Sequence, residues 1–134
     1  MCDRLVMLAQ IDHRRWVSCC EHGTTHLSWD SVSLRIPLAK LGTISQALQE
    51  CALVARLFRI AGTGEVCVVF DQYDLYQVWL GGVGLCLTPA DFRRLCQLVA
   101  EASRHPMACA SWSEPATSDP DTPIRTTFHL FSPN

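Results

Sequence analysis

Two stretches of this chain carry the same pattern of side chains 51 positions apart, and that recurrence constrains the fold more than any single motif does. In each copy three short alternating runs, separated by turn residues, lead into a helical run, so that strand, turn, strand, turn, strand, helix is read twice. Val17 aligns with Val68, Val32 with Val83, Leu34 with Leu85, Ala39 with Ala90 and Gln46 with Gln97. Leu41, Ile44 and Leu48 meet Phe92, Leu95 and Val99.

In the first copy Trp16 to Cys20 reads as a strand and Glu21-His22-Gly23 as the turn after it, with Gly23 free to take positive φ. From Thr24 the chain alternates through Trp29, turns at Asp30-Ser31 and alternates again to Ile36. The inner face of this hairpin is Leu27, Trp29, Val32, Leu34 and Ile36; the outer face is His26, Ser28, Ser33 and Arg35. Beyond Pro37 a helix is expected to about Phe58, its buried stripe running Leu41, Ile44, Leu48, Cys51, Ala55 and Phe58. Ala61 to Gly64 reads as a flexible turn.

The second copy repeats the strands at 65 to 70, 75 to 80 and 83 to 87. Thr88-Pro89-Ala90-Asp91 then opens a helix to about Ser103, with threonine as N-cap, proline at the first helical position and an acid near the positive end of the dipole. Residues 1 to 12 are apolar but too short to show a period, and fit a helix or a strand equally. The expected fold is therefore α+β: two tandem β-β-β-α units, 15–60 and 65–103, in a single domain 1–112 whose antiparallel sheet is packed by two helices. An internal duplication is the expected origin of the repeat, and a supersecondary motif used twice without common ancestry would give the same pattern. The prolines, serines and acids of 113–123 read as a linker, and 124–134 as a tail strand able to pair with its own sheet or a partner's.

Composition narrows the function classes. A net charge of -2 from 11 basic and 13 acidic residues leaves no electropositive footprint for nucleic acid. No run reaches the ~18 apolar residues of a membrane span, and LVMLA is too short for a secretory core, so a cytoplasmic protein is expected. Eight cysteines in such a chain are expected to be mostly reduced. Charged residues are only 18%, which points to apolar surface covered by a partner.

The densest chemistry is Cys19, Cys20, His22 and His26, spaced C-C-x-H-x3-H across a strand, a turn and the next strand. Thiolate and imidazole suit zinc, copper or iron, including haem iron. Strand alternation separates Cys19 from Cys20, so Cys20, His22 and His26 are the expected metal ligands, with Cys19 as the other possibility. Three ligands fall one short of a closed zinc site. No catalytic residue is assigned, because nothing places a nucleophile beside a base and an orienting group. Trp79, on the outer face opposite Gly84, and Phe128 and Leu130 in the tail are the candidate partner contacts. Two readings result. One is a non-enzymatic accessory or adaptor protein that binds a protein partner, as a homodimer; the other is a metal- or haem-binding protein.

Overall fold

The computed structural model describes residues 2–108. The tail contacts Phe128 and Leu130, the linker and the tail strand lie outside them. The class is α+β, with two four-stranded antiparallel sheets and two long helices. Each repeat carries one strand more than the alternating runs suggested. In the first the strands are β1 (Leu5–Asp12), β2 (Arg15–Cys20), β3 (Thr24–Trp29) and β4 (Val32–Pro37), hydrogen-bonded in that order. After a single 3-10 turn, Leu38–Lys40, comes α1 (Leu41–Phe58). The second sheet is β5 (Ile60–Thr63), β6 (Val66–Phe70), β7 (Tyr76–Leu80) and β8 (Val83–Leu87), again in chain order, followed by α2 (Pro89–Ser103). The ambiguous opening segment is thus a strand, and the glycine-rich turn after α1 is largely β5.

The 51-residue correspondence holds to the level of individual backbone bonds. Val17 pairs with Leu27 and Leu27 with Leu34, as Val68 pairs with Val78 and Val78 with Leu85. The amide of Asp30 donates to the carbonyl of Arg14, and its counterpart Gly81 donates to that of Glu65. Gly23 N–H donates to Cys20 and Asp74 N–H to Asp71, each over 3.1 Å. All four turn residues sit in the left-handed region: Gly23 at φ 76°, Asp74 at 61°, Asp30 at 55° and Gly81 at 63°. The turn geometry is kept while glycine and aspartate exchange places, which these two residue types can do at lowest cost.

By internal contacts the described residues form two compact units: 2–42 with 101–108, and 43–100. In the first, one face of the sheet buries Val17, Cys19, Thr25, Leu27, Trp29, Leu34 and Ile36, while Arg15 lies over the Trp29 ring and pairs with Asp30 at 3.2 Å. In the second, Val66, Val68, Tyr76, Val78, Leu80, Leu85 and Leu87 are buried, and Phe92 of α2 stacks on Tyr76 at 4.4 Å. Thr88 Oγ1 accepts from the Asp91 amide at 3.1 Å, the expected N-cap bond. The buried stripe of α1 stops at Ala55; Phe58 is 70% exposed because the helix ends there and the chain turns through Arg59 at positive φ.

Trp79 explains itself locally. A Cβ on Gly84 would meet its indole at 2.9 to 3.0 Å, so the ring lies flat over the bare glycine of β8 and remains 44% exposed. Among the described residues Ser18 Oγ and Thr25 Oγ1 are buried without a hydrogen-bond partner. An orphaned hydroxyl costs about 1 to 3 kcal/mol, so Thr25→Val, which keeps the shape and removes the hydroxyl, is expected to raise unfolding stability by about 1 kcal/mol in denaturant titrations. A loss of stability would mean that Thr25 has a partner in solution.

Candidate metal centre

Cys20 ends β2 on the face opposite the hydrophobic core, next to the turn that precedes β3. His22 stands in that turn and His26 two residues into β3, on the same face as Cys20 by strand alternation. Cys19 is buried on the other face, opposite Thr25, where burial first and the neighbouring Cys20 charge second push its thiol up. The strand pairing therefore brings Cys20, His22 and His26 together and leaves Cys19 apart.

The structure adds a residue that the motif did not contain. Because β1 runs antiparallel to β2 with Leu5 opposite Cys20, the chain before Leu5 passes beside the turn and delivers Cys2. Cys2 Sγ lies 3.8 Å from His22 Nδ1 and 3.6 Å from His26 Nε2, and Cys20 Sγ lies 3.8 Å from His22 Nδ1. The ligand atoms of Cys2, Cys20, Glu21 and His22 all fall within 4.8 Å of one another, a group that can hold a metal ion. The Glu21 carboxylate is already engaged, accepting from the amides of Asp3 at 3.1 Å and Arg4 at 3.3 Å, and so fastens the segment that carries Cys2. No spacing rule could find Cys2, 18 positions before Cys20. Reading residues 5 to 12 as a strand paired with β2 would have.

Cys20 occupies a built anion site, visible by comparison with its repeat counterpart, Asp71. Asp71 Oδ1 accepts from the amides of Tyr73 at 2.8 Å and Leu75 at 3.1 Å, and Oδ2 from the Gln77 side chain at 3.4 Å. Fifty-one positions earlier, the amides of His22 and Thr24 and the His26 side chain are the groups that, with Cys2, lower the Cys20 thiol. The three donors correspond one to one. Both units thus place an acceptor at this position, a carboxylate in one and sulfur in the other.

The electrostatics agree. Burial raises the Cys20 thiol, but hydrogen bonds from Cys2, His26 and the two amides outweigh it and bring the thiol from 9.0 down to about 6. Cys2 moves the other way, chiefly because its thiol hydrogen-bonds to Cys20. The stability that the Cys20 thiolate contributes is therefore complete above pH 9, shrinks below it and is gone below about pH 6. In the metal-free protein the ultraviolet absorbance of one thiolate is expected to appear with a midpoint near pH 6 and to be missing in Cys20→Asp; a midpoint near 9 would contradict this arrangement.

Comparison with protein-family models, curated proteins and solved structures yields no match.

Proposed function

We propose that the first sheet binds one zinc ion through Cys2, Cys20, His22 and His26, and that the ion serves a structural role. Sulfur about 2.3 Å and nitrogen about 2.0 Å from a tetrahedral zinc lie about 3.6 Å apart. The three sulfur–nitrogen separations of 3.6, 3.8 and 3.8 Å match that edge length, and this is the observation that carries the reading. Two sulfurs and two nitrogens favour zinc over the copper and iron alternatives. With four protein ligands no position is left open for substrate, consistent with a non-enzymatic protein. Metal analysis of protein purified without a histidine tag is expected to find about one zinc per chain, lost in the His22→Ala, His26→Ala double variant. A parent protein that holds no metal after zinc loading and dialysis would end this reading.

A second reading, a protein-binding accessory role, draws on α1. Leu53, Val54, Leu57 and Phe58 are exposed on its last two turns, with Ile60 of the edge strand β5 beside them, and Leu57 is 73% exposed. A contiguous apolar stripe of this kind is typical of a surface covered by another protein, including a second copy of the chain. The partner surface belongs on this stripe in preference to Trp79, whose ring covers Gly84. The backbone correspondences also support an internal duplication in which the anion-holding turn persisted while its anion changed.

A further inference from the structure

The second unit contains a cavity of about 440 Å³ between α1, the β6–β7 end of the sheet and α2. Its volume is in the range of small-molecule sites. Aromatic rings form one wall: Phe70 lies 4.7 Å from Tyr76, which lies 4.4 Å from Phe92. Leu53 adds an apolar edge, and Arg56 of α1 and Arg93 of α2 line the cavity from opposite helices. Among the described residues no acidic side chain lines it.

The arginines decide what the cavity suits. Arg94, next along α2, is held by Asp91 at 2.8 Å, and Arg59 donates to the carbonyls of Phe70 and Asp71. Arg56 and Arg93 have no ion pair among the described residues. Two guanidinium groups without counter-ions, at one apolar cavity in a chain of net charge -2, form a local positive site that the rest of the composition does not require. Guanidinium forks match the two oxygens of a carboxylate, and an aromatic wall accepts an alkyl or aryl body.

The geometry points to a binding site for an apolar carboxylate, such as a medium-chain fatty acid or an aryl acid. Its head lies between Arg56 and Arg93, and its body lies against Phe70, Tyr76 and Phe92. It shares no residue with the proposed zinc ligands, so the two proposals fail independently.

Dodecanoate is the probe, followed by calorimetry and by chemical shifts of the Phe92 and Cys96 amides. Dodecanoate is expected to bind one per chain and to shift both amides, whereas dodecanol binds at least about tenfold more weakly because it lacks charge-assisted hydrogen bonds. Arg56→Glu with Arg93→Glu, both exposed and remote from the buried stripes, is expected to abolish the preference for the acid without altering the thermal transition. Cys20→Asp protein is expected to bind dodecanoate normally. Equal binding of acid and alcohol would overturn the proposal. So would binding that survives the arginine changes but is lost in Leu57→Glu, since it would then belong to the stripe on α1.

Discussion

Cys20→Asp is expected to weaken zinc binding while leaving the fold intact, and Cys20→Ala to weaken zinc binding further and weaken the fold as well. The difference follows from the two roles of the sulfur. As an acceptor it satisfies the amides of His22 and Thr24, just as the carboxylate of Asp71 satisfies those of Tyr73 and Leu75 in the second unit. Aspartate can take over that role; alanine leaves two turn amides unpaired. As a ligand the sulfur is only partly replaced, because a carboxylate beside one thiolate and two imidazoles can still hold zinc but gives up one of the two soft donors that favour it. With free zinc at 100 times the parent's dissociation constant, the parent gains about 2.7 kcal/mol of apparent stability, a gain that is smaller in both variants. Thermal unfolding with and without zinc reads all three proteins. If Cys20→Asp keeps the full zinc-dependent gain, Cys20 is a turn residue and the metal lies elsewhere.

The largest loss of stability outside the candidate metal centre is expected at Leu27→Ala, about 2 to 5 kcal/mol in chemical denaturation. Leu27 is 1% exposed, lies on a central strand of the first sheet and is flanked across the ladders by Val17 and Leu34. Neighbours on both sides, fixed by backbone pairing, cannot close over the space that alanine leaves, which places the cost toward the upper part of that range. A loss of this size is a large share of the total stability of a small domain. Leu57→Ala provides the contrast, since a leucine 73% exposed loses almost no buried contact, and its unfolding midpoint is expected to stay within experimental error. Equal costs in the two variants would mean that Leu27 is not part of the core of the first unit.

Alternation and turn chemistry made most of this fold readable. Leu27, Trp29, Leu34 and Ile36 declared an inner face because strand side chains repeat every two residues, and Gly23, Asp30 and Gly81 declared turns because few residue types tolerate positive φ. β1 was not legible, since Leu5 to Asp12 mixes exposed and buried residues around two register irregularities, which destroy a period-two signal. β5 was hidden for another reason. Ile60, Ala61, Gly62 and Thr63 read as a turn by composition, and only pairing with β6 makes them a strand. Phe58 continued a helical stripe in sequence, yet the stripe had ended one turn earlier at Ala55.

The candidate metal centre divided along the same lines. Cys20, His22 and His26 are near one another in sequence, and alternation alone put Cys20 and His26 on one face. Cys2 arrives only through the tertiary pairing of β1 with β2. The role of Cys20 in the turn was hidden because its counterpart is an aspartate: side-chain identity differs at the matching position while the hydrogen-bonding role is the same.

Cobalt(II) substitution tests the proposed centre most directly, because the visible spectrum reports ligand geometry and type together. Addition of one equivalent to the metal-free protein is predicted to give the intense absorption of a tetrahedral ion with sulfur-to-metal charge transfer. That charge transfer should weaken in Cys2→Ser, disappear in Cys20→Asp with Cys2→Ser, and yield to added zinc. A faint octahedral spectrum that none of these substitutions changes would contradict a centre built from Cys2, Cys20, His22 and His26.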